Sequence, residues 1–218
     1  MPCMNINIRS WTNKKDKNFE NIILALPESW SFYSAHKSYE YSRKILEGRW
    51  KKGEETILQS PYYSYLYAKN VIKGRWKDAE EIIKGNGQSA YLYSRYVLKS
   101  RWEETEKTIS NDIHWSYLYA RYVLKSRFKL AESKIKNHKD EYWYRTEDLC
   151  RYAIYVVKDR FEKIENRVLN SSWIEAYMKV LNPSDKEEFY NKVLIEAMKE
   201  MKPYEHNYAK SYIQKLNV

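Results

Sequence analysis

Glycine and proline are scarce in this chain, five of each in 218 residues. Sandwiches and barrels need both at regular turns, so their scarcity disfavours an all-β fold and favours long helical stretches. Two cysteines, Cys3 and Cys150, are too few for a disulfide framework. Cys150 falls in a helical pattern and reads as a small buried side chain. No apolar run approaches the roughly 18 residues of a membrane span, and the opening MPCMNINIRSW lacks the apolar centre of a signal peptide. A reduced, cytoplasmic setting and no membrane partner are the expectation.

The marks of catalysis are also missing. The four histidines, His36, His114, His138 and His206, have no neighbours at metal-ligand spacing, and neither CxxC nor HExxH occurs. No glycine-rich phosphate loop exists; the GNG at Gly85 to Gly87 reads as a turn. No serine sits in GxSxG. Paired carboxylates such as Glu80 with Glu81, or Glu187 with Glu188, are adjacent on a helix and splayed by about 100°. We expect no enzyme, no cofactor and no metal.

What the chain has in abundance is tyrosine, 22 copies, joined by eight tryptophans in a sequence 43% hydrophobic. That is enough to build a core. The formal net charge of +10 would attract nucleic acid, anionic lipid or an acidic protein surface, although a lysine-rich composition alone also produces it.

The aromatics recur in phase. SYLYAKNVIKGRW begins at Ser64, AYLYSRYVLKSRW at Ala90 and SYLYARYVLKSRF at Ser116. Anchoring on the aromatic after an arginine gives Trp50, Trp76, Trp102, Phe128 and Phe161, spaced by 26 residues three times and then by 33. An acid follows four residues later, and a tyrosine stands nine residues before: Tyr41, Tyr67, Tyr93, Tyr119 and Tyr152. Each unit reads as a hairpin. In the fourth, a first helix from Trp115 to Lys125 centres its buried face on Ala120, with Tyr117, Val123 and Leu124. A break follows at Gly74, Ser100 or Ser126 in successive units. The second helix presents Trp76, Ala79 and Ile83, or Phe128, Ala131 and Ile135, as one apolar stripe. Ser60 and Pro61 suit an N-cap and first turn.

Helices this short are not stable alone, and stacking completes each core. The expected fold is all-α: a right-handed or gently curved α-solenoid of tandem hairpins with terminal caps. Residues 1–36 form the N-terminal cap, 37–170 the five repeats and 171–218 a C-terminal helical cap. The cap opens at a capping box of Ser184 and Glu187, and Tyr204, Tyr208, Tyr212 and Leu216 line its last helix. The seven extra residues of the fifth repeat fall around Tyr142 to Arg145. They read as a wedge between units, with a binding loop as the alternative.

Tyr91, Tyr93, Ser94, Leu98, Ser100, Trp102 and Thr105 resemble a tetratricopeptide unit, and Gly74, Trp76 and Ala79 resemble its turn and second-helix alanine. The period departs from that family's roughly 34 residues, and its units lack the Arg-aromatic-x-x-x-Glu pattern. Over about Tyr39 to Val168 the wording is more similar to short tandem repeats in proteins of large bacteriophages and some bacteria. That resemblance implies a viral or mobile-element origin, hence a modulator of a host system, and carries no catalytic residue across.

On the helical wheel Arg121, Lys125, Leu118 and Tyr122 lie roughly 100° to 200° from Ala120, a continuous outward stripe. Its counterparts are Leu92, Arg95, Tyr96 and Lys99, then Leu66, Lys69 and Lys73. Tyrosine contact area and arginine forks in such a stripe suit an acidic protein or peptide surface, or single-stranded nucleic acid. The pairs Arg49 and Glu54, Arg75 and Glu80, Arg101 and Glu106, Arg127 and Glu132, and Arg160 and Glu165 read as a structural ion ladder. The leading expectation is a non-catalytic adaptor or inhibitor. Nucleic-acid binding, and self-assembly through a homodimer, are the alternatives.

Overall fold

The computed structural model describes residues 17–26, 31–135, 144–169 and 171–199. Helices are the only regular structure among them. The expectations for Cys3, MNINIRSW, Tyr142, Trp143 and the series from Tyr204 to Leu216 lie outside the described residues, as do the side chains of Tyr144 and Arg145. The chain divides into two compact units, Met1–Ile109 and Ser110–Val218.

The first unit opens with helix Lys17–Leu24 and continues through three hairpins. Their first helices are Ser31–Lys44, Pro61–Tyr67 extended by Ala68–Ile72, and Gly87–Tyr93 extended by Ser94–Leu98. Their second helices are Lys51–Ile57, Glu80–Lys84 and Glu106–Ile109, the last two entered through one 3-10 turn each. The second unit holds Ile113–Tyr119 extended by Ala120–Leu124, and Lys129–Lys134. It continues with Tyr144–Tyr152 extended by Ala153–Val157, then Glu165–Val168, Ile174–Met178 and Pro183–Lys199.

Each first helix in repeats 2 to 4 starts at a side-chain cap, and the caps are one repeat period apart. Ser60 accepts from the Tyr63 N–H at 3.4 Å, Asn86 from Ser89 at 2.9 Å, and Asp112 from His114 at 2.8 Å. These bonds satisfy donors that a helix start leaves open. At the C-terminal helix the cap differs from the expected box. Asn182, not Ser184, accepts from the Asp185 N–H at 2.9 Å, and Pro183 fills the first turn.

The ends of the first helices also differ from expectation. Ala68–Ile72, Ser94–Leu98, Ala120–Leu124 and Ala153–Val157 are π-helical, so the chain is wider there than a wheel of 100° steps assumes. The break falls not on Gly74, Ser100 or Ser126 but one residue earlier. Lys73, Lys99, Lys125 and Lys158 have φ of 59°, 54°, 53° and 56°, and Glu47 takes this place in repeat 1 with φ 52°. The N–H groups of Lys73 and Gly74 both return to the Ala68 carbonyl. The wide turn brings two donors to one acceptor, and only a left-handed residue lets the chain reverse after it.

The anchors Trp50, Trp76, Trp102, Phe128 and Phe161 are all buried, as are Ala79, Thr105, Ala131 and Ile164 three residues on. Ile57, Ile83, Ile109 and Val168 complete the stripe, while Ile135 is only half-buried. Cys150 is buried as expected, which pushes its thiol up to about 12 against a hydrogen bond with Ser171.

Within each unit, successive hairpins are joined by the tyrosine nine residues before the later hairpin's anchor. Its ring packs on its own anchor: Tyr67 lies 5.0 Å from Trp76 and Tyr93 5.3 Å from Trp102. Its hydroxyl reaches the preceding repeat. Tyr67 accepts the Trp50 N–H at 2.7 Å and donates to Glu54 at 3.2 Å. Tyr93 accepts from Trp76 at 2.7 Å and donates to Glu80 at 3.4 Å. In the second unit Tyr152 accepts from Phe128 at 2.7 Å and donates to Glu132 at 2.8 Å. The terminal helices supply matching partners. Tyr41 donates to Glu20 at 3.0 Å, and Tyr177 accepts the Phe161 N–H at 2.7 Å.

The glutamates Glu54, Glu80 and Glu132 are each held by the repeat's own arginine in a two-point grip, for example Arg75 to Glu80 at 2.6 and 2.9 Å and Arg127 to Glu132 at 2.8 and 2.7 Å. Arg49 with Glu54, Arg101 with Glu106 and Arg160 with Glu165 repeat it. The pairs therefore close within a repeat, and the tyrosine carries the link between repeats. In repeat 5, Arg160 also meets Glu188 at 2.5 Å, and Lys192 meets Glu165 at 2.8 Å. Those two cations hold the Glu188 carboxyl down to about 2.

Tyr152→Phe leaves the buried Phe128 N–H without its acceptor. It is expected to destabilise the protein by about 1–3 kcal/mol in urea denaturation, and an unchanged midpoint would show the joint to be ornamental. Acid should act on the same joints. Burial raises the Glu132 and Glu165 carboxyls, but hydrogen bonds from Arg127 and Tyr152, and from Arg160 and Lys192, outweigh it and hold both below 4.5. A lowered folded value means stability that is complete above the unfolded value and lost as pH falls through the folded one. The urea midpoint should thus hold steady down to about pH 5 and drop below it. A midpoint that rises on acidification contradicts this.

Candidate binding face

The expected stripe residues sit on the last α-helical turn and the π-turn of the first helices, and the structure sorts them into three groups. Leu66 and Leu92 are half-buried against a core that includes Tyr39, Tyr65, Tyr67 and Trp76, and Leu118 is half-buried too. They correct the expected open stripe: neighbouring first helices pack side by side and cover the leucines, leaving a narrower strip.

The second group is the cations Lys69, Arg95 and Arg121, each braced by tyrosines. The Lys69 ammonium lies 5.8 Å from the Tyr65 centroid and 4.3 Å from that of Tyr96 in the next repeat. Arg95 donates to the Tyr91 hydroxyl at 2.5 Å and lies 4.9 Å over Tyr96. In the second unit Arg121 donates to the Tyr117 hydroxyl and lies 5.1 Å over Tyr122 and 4.1 Å over Tyr155. Tyr96, Tyr122 and Tyr155 remain 40%, 39% and 44% exposed. Each such contact contributes roughly 0.5–1 kcal/mol and holds a long, flexible side chain in place.

The third group is Lys73, Lys99 and Lys125, all exposed and all left-handed. A left-handed L-residue is strained by roughly 1–2 kcal/mol, and glycine would relieve it. The expected pattern placed these lysines on the stripe but not in this conformation.

Charge is segregated between the two helices of the hairpins in repeats 2 to 4. Residues 61–73, 87–99 and 113–125 contain no aspartate or glutamate, whereas every second helix carries carboxylates. This signal was present in the sequence and outside the periodicity argument. Repeats 1 and 5 depart from it. Arg43 of repeat 1 already pairs with Glu40 at 3.4 Å, and Ile154 of repeat 5 replaces the cation.

At the opposite, N-terminal ends of these helices the first unit has a cleft of about 400 Å³ lined by Phe32, Ser60, Pro61, Tyr62, Asn86, Gln88 and Ser89. It offers no charged side chain. Among the described residues no group of three or more His, Cys, Asp or Glu could hold a metal ion, and no helix is long and apolar enough to cross a membrane. No protein-family model, curated protein or solved structure matches the chain.

Lys99→Gly should raise stability by about 0.5–1 kcal/mol, the relief of strain less the freedom glycine adds to the unfolded chain. Lys99→Val, β-branched at positive φ, should lower it. Urea midpoints of the two variants decide the matter, and loss of stability in the glycine variant refutes the strain.

Proposed function

We propose that the protein is a non-catalytic binding protein that docks an acidic protein or peptide on the first-helix face of its hairpins. The observation that carries this reading is the charge segregation: residues 61–73, 87–99 and 113–125 bear two cations each and no carboxylate. A solvated face with no partner has no reason to exclude one sign of charge, and opposite charges there would stabilise the helices. The left-handed lysines support it further, since lysine is kept where glycine would suit the backbone better.

The tyrosine joint inside each unit supports reading each as a short α-solenoid. Helix Lys17–Leu24 and the helices after Val168 act as its caps. Phage-like repeat wording makes a host protein the natural partner and the adaptor or inhibitor a modulator. Nucleic acid remains the second reading because of the net charge of +10. Single-strand binding by base stacking needs bare aromatic faces, however, and those of Tyr96 and Tyr155 already face the protein's own cations.

Titration with a fluorescent polyglutamate peptide tests this reading. Binding at low ionic strength should weaken with salt, and the joint substitution Lys69→Gln, Arg95→Gln and Lys99→Gln should reduce affinity about tenfold or more. No binding by the wild type, or tighter binding of an oligothymidylate of equal charge, overturns it.

A further inference from the structure

The uncharged cleft of the first unit lies where repeat 3 lacks a ring that its neighbours carry. Tyr63 of repeat 2 becomes Ser89 in repeat 3 and Trp115 in repeat 4, each 26 residues further on. Between repeats 1 and 2 the ring is used: Tyr63 stacks on His36 at 5.2 Å and meets Phe32 at 5.0 Å. In the second unit the same two places hold His114 and Asp148, which meet at 3.1 Å. Between repeats 2 and 3 they hold Tyr62 and Ser89, and the serine side chain is too short to fill the place of a ring. Both residues line the cleft of about 400 Å³, together with Phe32.

Ser89 is fully buried, and its hydroxyl has no hydrogen-bond partner. A buried hydroxyl in that state is unfavourable, and a ligand that brings a partner recovers the loss. Asn86 spends its side-chain oxygen on the Ser89 N–H at 2.9 Å, which leaves its NH2 group as a donor, and Gln88 adds a second carboxamide. Carboxamides match the N–H and C=O of a peptide group. The walls are aromatic: Phe32 is 62% and Tyr62 37% exposed, although Tyr62 also meets Tyr63 edge-on at 5.6 Å. No charged side chain lines the cleft, so a charged group entering it would lose water and gain no counter-ion.

We infer that this cleft receives a tyrosine side chain of a polypeptide partner, its ring lying on Tyr62 as that of Tyr63 lies on His36 one repeat earlier. The phenol hydroxyl meets the Ser89 hydroxyl, and Asn86 and Gln88 hold the peptide groups beside it. Phenylalanine would leave the Ser89 hydroxyl unpaired, and leucine has no face to stack. The volume falls within the range of ligand sites, which leaves room for the backbone flanking one ring. The inference goes beyond the acidic-partner reading and is independent of it, since the cleft holds no charge and lies at the other ends of these helices.

Saturation-transfer NMR titrations on the full chain test it with uncharged probes at millimolar concentration: the N-acetyl amides of tyrosine, phenylalanine and leucine, and p-cresol. The tyrosine amide should bind about fivefold tighter than the phenylalanine amide, the value of one hydrogen bond, and the leucine amide weakest of the three. Ser89→Ala should bring tyrosine down to the phenylalanine level without lowering the urea midpoint, since it removes only an unpaired hydroxyl. Ser89→Tyr fills the cleft with the chain's own ring and should abolish binding; where it does not fold, Ser89→Ala decides alone. Equal affinity for the three amides, or tyrosine binding unchanged in Ser89→Ala, overturns the inference. If p-cresol binds as tightly as the tyrosine amide, the cleft belongs to a free phenol and the polypeptide occupant is overturned. No binding of any probe also overturns it, and leaves the acidic-partner reading standing.

Discussion

A tyrosine hydroxyl set between a backbone N–H and a carboxylate is the constraint on which the hairpins depend. The hydroxyls of Tyr67, Tyr93 and Tyr152 are buried, and a buried hydroxyl needs partners. Each uses both of its capacities, accepting from the anchor of the preceding repeat and donating to that repeat's glutamate. The anchor N–H opens a second helix and has no partner within that helix. Sliding one hairpin by a residue would strand all three groups at once. The arginine completes the arrangement, since a half-buried carboxylate without a cation would be far more costly than the pair. Side-by-side packing of the first helices, and hence the position of Lys69 against Tyr96, follows from this register.

Much of the architecture was legible because it rests on spacing. The repeat period, the anchor stripe and the Ser60 cap follow from residues three, four and seven apart, which the chain shows directly. The tyrosine was visible by its phase, but its partners were not. For Tyr67 and Tyr93 the N–H donor lies 17 residues away and the glutamate 13, for Tyr152 24 and 20, and a periodicity argument is blind to which atoms meet across those intervals. Tyr177 was missed for a related reason: the repeat wording has faded by then, and only its hydroxyl on the Phe161 N–H reveals the place it fills. The π-turns escaped because no composition marks them. The left-handed residue was assigned to the glycine or serine one position later, since capping rules look for glycine.

The lysines at these turns are the most informative departure from local preference. A cation near a helix C-terminus gains roughly 0.3–1 kcal/mol from the helix dipole, less than the roughly 1–2 kcal/mol of left-handed strain. Local energetics therefore favour glycine at positions 47, 73, 99, 125 and 158, yet four of these are lysine and one is glutamate. At positions 73, 99 and 125 the strain is retained at a regular interval on segments without carboxylates, which points to an advantage outside the hairpin itself.

The braced cations fit the same logic from the opposite direction. Ordering a lysine or arginine on binding costs about 0.5–1.5 kcal/mol for each side chain immobilised, and a ring or hydroxyl that orders it beforehand removes that term from the binding step. Tyrosine can offer either a face or a hydroxyl, as Tyr96 and Tyr91 respectively do to Arg95. Phenylalanine would keep the face and lose the hydroxyl. The abundance of tyrosine thus has two separate causes. Inside the hairpins it satisfies backbone donors across a repeat boundary, and on the first-helix face it braces the cations with rings and hydroxyls.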